Sequence, residues 1–141
     1  MKNTITVQTI VHASIHHVWE CWNQPKHIVC WAFASDDWEA SSAKNDVRVG
    51  GRFSITMAAK DRSASFDFCG TYSNLQEHKL IEYVMDGDDG RHVIIEFRET
   101  PDGVEIRESF EMENENSEEK QRAGWQAILE NFRKYTEKKD F

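Results

Sequence analysis

From residue 4 to residue 11 polar and apolar positions alternate, placing Ile5 and Val7 on one face; Ile10 and Val11 then interrupt the rhythm, as a strand end or a bulge would. The period then changes. Ser14 offers an N-cap, and Ile15, Val18, Trp19 and Trp22 follow at spacings of three and four, which predicts a short amphipathic helix running to about Trp22. Asn23 or Gln24 can cap a second short helix with Pro25 in its first turn, where a missing N–H costs nothing; this helix ends near Trp31. Residues 32–45 mix Ala, Ser and Asp around Phe33 and Trp38 and suit a loop leading into a short strand.

After Gly50-Gly51 the two-residue period returns. Phe53, Ile55 and Met57 point one way, with Arg52, Ser54 and Thr56 opposite, and beyond a turn at residues 60–63 Phe66, Phe68, Gly70 and Tyr72 repeat the pattern. Ile81, Tyr83 and Met85 form the inward set of a third strand, and Val93, Ile95 and Phe97 that of a fourth, with turns at Asp-Gly-Asp-Asp-Gly (86–90) and Pro101-Asp102-Gly103. Val104, Ile106, Phe110 and Met112 share a face of the last strand, with Glu108 in phase among them. Five or more strands joined by short turns predict an antiparallel meander. Asn116 or Ser117 then caps a long helix opening on Glu118 and Glu119. Its apolar stripe is Trp125, Ile128, Leu129 and Phe132, with Tyr135 nearly in line and Arg122, Glu130, Arg133 and Lys134 elsewhere. With no repeat or linker, residues 1–141 read as one α+β domain.

A meander with one apolar face and a single long helix to cover it predicts a sheet curled around that helix. The inner face then collects Phe53, Ile55, Met57, Phe66, Phe68, Tyr83, Ile95, Phe97 and Phe110, opposite Trp125, Ile128 and Leu129, with Trp31, Phe33 and Trp38 closing one end. Such aromatics either fill a core or line a hollow. Gly70, inside a strand, and Gly124, beside Trp125, leave space or permit a close approach. Glu108 either stands among the inward residues, where it needs a partner or a proton, or is rotated to solvent, or is paired with Arg52 or Arg107. These residues, Ile95 excepted and Glu108 included, are the candidate ligand-binding set.

Apolar residues make up 39% of the chain and charged residues 30%, a globular balance. The net charge of -8 disfavours nucleic acid and anionic lipid. The one basic concentration, Arg133, Lys134, Lys138 and Lys139, complements a helix C-terminus. Cys21, Cys30 and Cys69 form no CxxC pair and are odd in number, which fits a reducing cytoplasm, and no run is long enough to insert into a membrane.

His12, His16 and His17 with Cys21 suggest zinc, but adjacent helical histidines point about a hundred degrees apart, so no metal site is expected. The acidic turn lacks the spacing of a calcium loop, and no nucleotide-binding or hydrolase signature points to a cofactor. Glu108, helped by Tyr83 or Tyr72, is the one acid-base constellation, which ranks catalysis below binding.

Ala13-Ser14 with Val18-Trp19, Asp46-x-Arg48-x-Gly50-Gly51-x-Phe53, Gly70-Thr71-Tyr72 and Gln121-Arg122-Ala123-Gly124-Trp125-Gln126-Ala127-Ile128-Leu129, in that order along the chain, resemble the START-like (SRPBCC) superfamily. More closely they resemble its branch named after the activator of heat-shock-protein ATPase. The resemblance implies a helix-grip fold, and a cavity that in wider relatives holds lipids, hormones or polyketides and in some supports cyclase or aromatase chemistry. Leu75-Gln76-Glu77-His78-Lys79 stands where the family often has a proline. The expected function is noncatalytic binding of a small hydrophobic or aromatic molecule. A chaperone-linked interaction module and a cyclase using Glu108 are the alternatives, and a protein partner or a homodimer stays open.

Overall fold

The computed structural model describes residues 3–87 and 90–138. Asp88 and Asp89 of the acidic turn, and Lys139, lie outside the described residues. Strand β1 (Thr4–Val11) is followed by helices α1 (Ile15–Asn23) and α2 (Pro25–Ile28). Six strands come next: β2 (Trp38–Asn45), β3 (Arg52–Ala59), β4 (Ser65–Gln76), β5 (Leu80–Met85), β6 (His92–Thr100) and β7 (Gly103–Glu111). Helix α3 (Glu118–Lys138) ends the described chain. The strands form one antiparallel sheet in the order β1-β7-β6-β5-β4-β3-β2, curled into a half-barrel that grips α3. Consecutive hairpins build β2 to β7, and β1 joins beside β7.

Local chemistry accounts for most of these boundaries. Ser14 Oγ accepts from His17 N at 3.2 Å, and Ser117 Oγ from Lys120 N at 3.1 Å, so both expected serine caps satisfy a first-turn N–H. Pro25 starts α2, and hydrogen-bonded turns carry the chain on to Ala32, whose N–H reaches Ile28 O at 3.0 Å. Of the two expectations for Ile10 and Val11, the strand end holds, since β1 stops at Val11, and the bulge does not occur. Its pairing with β7 is unbroken from Thr4↔Glu111 to Val11↔Val104, Val11 is buried with Ile5 and Val7, and Ile10 lies on the outer face. Thr9 takes the inward place between Val7 and Val11, so the alternation continues through a polar residue. The register shifts lie elsewhere, between Ala40 and Ser42 in β2 and between Tyr72 and Asn74 in β4, where an extra residue bends a strand.

Helix α3 does two jobs with two faces. Its apolar stripe enters the half-barrel, where Leu129 and Phe132 are buried. Its flank closes the open edge of β1: Arg122 Nη1 donates to Thr6 O at 3.0 Å and Gln126 Nε2 to Gln8 O at 3.1 Å. One turn on, Glu130 Oε2 accepts from Thr9 Oγ1 at 3.1 Å, and Glu137 Oε2 accepts from His12 N at 2.9 Å. The match is geometric, because four helical residues rise about 6 Å and two strand residues about 6.7 Å. An edge that would otherwise invite another strand is occupied by side chains.

The two short helices seal one end. Trp22 and Trp31 lie 5.0 Å apart by ring centroid and meet Phe132 at 4.8 and 5.0 Å, while Trp31 Nε1 donates to Cys21 O at 3.0 Å. Gly70 sets how closely β4 approaches its neighbours. A Cβ there would stand 2.6 Å from the Phe53 ring and 2.8 Å from Val84 O, and a backbone oxygen inside the sheet cannot yield. Gly70→Ala is expected to destabilise the protein by about 1–3 kcal/mol, read as a lower denaturant midpoint at unchanged slope.

Candidate functional site

The inner face of the sheet is not filled. Between β3, β4, β5 and α3 lies a cavity of about 490 Å³. Ile55 and Met57 of β3, Phe68 of β4, and Trp125 and Ile128 of α3 all line it, and all remain only half-buried. Inward-facing residues of these types would be fully buried in a packed core; here the space in front of them is open.

The alternation along β3 and β4 supplies one wall. Phe53, Phe68, Tyr72 and Tyr83 pack as a tilted and edge-to-face aromatic group, with Phe53 at 4.8 Å from Tyr83 and 5.5 Å from Tyr72. Helix α3 supplies the opposite wall through Trp125, Ile128 and Leu129. Gly124 lies on that wall too, and a Cβ added there would meet no atom within 4 Å, so the glycine leaves space rather than permitting a contact. Trp22, Ile28, Trp31 and Ala32 close the end beneath the short helices. Phe66, half exposed at 50%, stands on the rim with Asp67 and Asp86.

Eleven of the fifteen expected residues line this space: Trp31, Phe53, Ile55, Met57, Phe66, Phe68, Tyr83, Glu108, Trp125, Ile128 and Leu129. Phe33, Trp38, Phe97 and Phe110 do not, each for a packing reason. Phe110 is covered by Trp125, stacked on it at 4.0 Å and 11°, so the tryptophan and not the phenylalanine meets the void. Phe97 is taken up by Trp19 and Trp22, at 5.2 and 5.6 Å. Trp38 lies against Phe66 at 5.8 Å, and Phe33 offers α3 its backbone oxygen, accepting from Asn131 Nδ2.

The wall also holds residues the pattern did not single out as ligand contacts. Tyr72, Ile81, Met85 and Ile95 belong to the same inward alternation and were legible from it. Arg91 was not, since it follows a turn and has no periodic signature. Its Nη1 donates to Glu111 O at 3.2 Å, and its Nη2 lies 3.8 Å from Glu113 Oε2. Asn45 also reaches the wall, accepting from the Tyr72 hydroxyl at 2.6 Å and donating to Asn23 O at 2.8 Å.

Glu108 is the chemical centre of the cavity. It is 6% exposed, and in the sheet register it is flanked by Val7 of β1 and Ile95 of β6. The two cations considered as partners are engaged elsewhere: Arg52 is paired with Asp86, and Arg107 stands 4.0 Å from Glu105. Among the described residues no group hydrogen-bonds to the Glu108 carboxyl, and burial alone raises its pKa from 4.5 to about 8. Burial also lifts Tyr72 to about 12, partly offset by its bond to Asn45, and holds Tyr83 well above 10, with the nearby Glu108 adding to the effect. At neutral pH the floor of the cavity is therefore uncharged and rich in O–H groups.

The histidines are dispersed. His12 Nδ1 lies 2.6 Å from Asp102 O, and His17 Nε2 lies 2.9 Å from Thr136 O and 3.8 Å from Cys21 Sγ. Among the described residues no three His, Cys, Asp or Glu side chains are grouped to hold a metal ion, and no helix is long and apolar enough to cross a membrane.

Comparison with known proteins places this architecture. Residues 12–137 match the family described as Activator of Hsp90 ATPase homolog 1-like protein. The chain is similar to an AHSA1-like protein from Aeromonas hydrophila, solved by solution NMR. The two share 41% identity over 96% of this chain and 92% of that one, at a TM-score of 0.89. A solution structure from Cytophaga hutchinsonii is 48% identical over 96% and 92% of the two chains, at 0.78. A Chromobacterium violaceum protein at 20% identity shares the fold, with a TM-score of 0.87 over 97% and 99%. No curated protein matches the sequence.

The raised pKa of Glu108 makes stability depend on pH with a definite sign. Folded protein keeps this proton between 4.5 and about 8, whereas the unfolded chain has lost it, so the group's contribution is fullest below 4.5 and is lost as pH rises towards 8. Glu108→Gln removes that dependence. Between about pH 5 and about pH 8 the wild type is expected to lose on the order of 3 kcal/mol relative to the variant, measured by denaturant unfolding of both.

Proposed function

The chain belongs to the Activator of Hsp90 ATPase homolog 1-like family, and from that footing we propose that it binds a small hydrophobic or aromatic molecule in the cavity between α3 and the sheet. The observation that carries this reading is the half-buried state of Ile55, Met57, Phe68, Trp125 and Ile128 around about 490 Å³ of space. A volume of that size suits a small ligand, and walls of rigid aromatics with a few polar groups are the usual lining of such sites. Gly124 supports it further. Glycine within a helix costs about 1 kcal/mol relative to alanine, and here its replacement meets no steric objection, so its presence serves the space beside it.

Noncatalytic binding is preferred to catalysis because, among the described lining residues, Glu108 is the one carboxyl that is deeply buried without a partner. Ring closure or dehydration needs an acid and a base in reach of the same substrate, and the hydroxyls of Tyr72 and Tyr83 are held far from that range. The chaperone-linked reading draws on the family description alone, while the ligand reading draws on this chain's own geometry.

Nile red, a neutral apolar dye, is expected to bind the purified protein with enhanced emission. Gly124→Leu places a side chain in the space, its Cβ meeting no atom within 4 Å, and should weaken dye binding at least about tenfold while raising the thermal midpoint, since leucine is the better helix former by about 0.8 kcal/mol. Equal dye affinity in both proteins would place the ligand somewhere other than this cavity.

A further inference from the structure

The reading above leaves open which molecules the cavity takes, and its charges narrow them. Each charged group on the wall can be assigned a partner except two. Arg91 stands against Glu113, and Asp86 against Arg52, so those charges are matched within the protein. What remains is Glu108 on the floor and Asp67 on the exposed rim, whose carboxylate accepts only a hydroxyl, that of Thr56, at 2.7 Å. Among the described residues no cation on the wall is left over to receive an anionic ligand.

The surroundings of Glu108 are otherwise mainly apolar. Val7 of β1 and Ile95 of β6 flank it in the sheet, Trp125, Ile128 and Leu129 of α3 line the same cavity, and Tyr83 of β5 is a titratable neighbour that feels its charge; among the described residues Arg91, after β5, is the one cation on the wall. A carboxyl so placed lacks a hydrogen-bond partner that a ligand can supply. A neutral carbonyl or hydroxyl would provide a neutral hydrogen bond. An ammonium would provide a charge-assisted one, roughly twice as strong, and the aromatic rings of Trp125, Tyr83 and Phe68 that line the cavity suit a cation with an aromatic body. The net charge of -8 adds a long-range field of the same sign.

We propose that the cavity is built for a hydrophobic amine, an apolar body of aromatic dimensions carrying one basic nitrogen that seats against Glu108. This rests on the ligand-binding reading, and it excludes fatty acids and other carboxylates. The ammonium takes the place of the carboxyl proton, which leaves to solvent, so the cavity floor stays neutral overall and one proton is released for each molecule bound. Affinity therefore rises with pH while Glu108 is protonated in the empty protein and levels off once it has ionised.

The test uses three probes of one shape, 1-naphthylmethylamine, 1-naphthalenemethanol and 1-naphthoate, titrated into the full chain by calorimetry between about pH 6 and about pH 8. The amine should bind at least about tenfold more tightly than the alcohol at the upper end, with naphthoate weakest. Its affinity should rise about tenfold per pH unit at the lower end, and transfer between buffers of different ionisation heat should report release of one proton. In Glu108→Gln the amine should fall to the affinity of the alcohol in the same variant, and the pH slope should vanish. Alcohol binding as tight as amine binding in the wild type, a preference for naphthoate, or an amine preference that survives Glu108→Gln would each overturn the proposal. The first two leave the ligand-binding reading standing. Failure of all three probes together with Nile red would remove both.

Discussion

Helix α3 has to satisfy two demands at once, and the rest of the molecule follows from how it does so. A seven-stranded sheet that begins and ends in open edges presents one apolar face and, at β1, a row of unpaired carbonyls. One helix serves both. Residues four apart, Arg122, Gln126 and Glu130, hold the β1 edge, while Leu129 and Phe132 on the adjoining face enter the half-barrel. Because the helix is tied to one edge, it lies close to β1 and stands off from β3 and β4. The space on that far side is the cavity.

That asymmetry explains where the core is dense and where it is open. Beside β1 and most of β7 the packing is dense, with Glu108 the β7 residue that reaches the cavity: Phe110 lies stacked under Trp125, and Val7 and Ile106 are buried. Around the short helices Trp22, Trp31 and Phe132 fill the end with aromatic edges and faces. Towards β3 and β4 the same kinds of side chain stand at the same inward positions, packed against one another along the wall but only half-buried, with open space in front of them. A protein interior normally closes such a gap, since unfilled volume forfeits dispersion contacts on every lining atom. Two features on other walls of the same cavity run further against stability, a helical glycine at Gly124 and, at Glu108, a carboxyl with no hydrogen-bond partner among the described residues. Departures from good packing that converge on one spot are the mark of a site kept for use.

Much of the architecture can be read along the chain. Alternation from Phe53 to Tyr72 and from Ile81 to Phe110 defines the inward face of the meander, and the spacing of Trp125, Ile128, Leu129 and Phe132 defines the face of α3. Caps at Ser14 and Ser117 mark helix starts. Even the inward placement of Glu108 follows from its phase between Ile106 and Phe110. At Ile10 and Val11 the strand end was legible and the bulge was not needed: Thr9, a polar residue in an inward position, looks like a break in a hydrophobicity pattern although the register continues to Val11.

Periodicity states which side of an element a side chain leaves, and for this protein it determined the helix-grip arrangement and the apolar character of the interior. It does not state what stands opposite. Phe110 and Phe68 are equivalent in pattern, yet one is sealed under Trp125 and the other borders open space, because that difference depends on the distance between each strand and a helix that is a separate element of the chain. The same holds for charge. Whether Glu108 would be paired depended on where Arg52 and Arg107 turned, and both found other carboxylates on the outside of the sheet. Only tertiary structure decides such matters, since a void and an unmet carboxyl are properties of what fails to arrive at a place, and no local stretch of sequence carries that information.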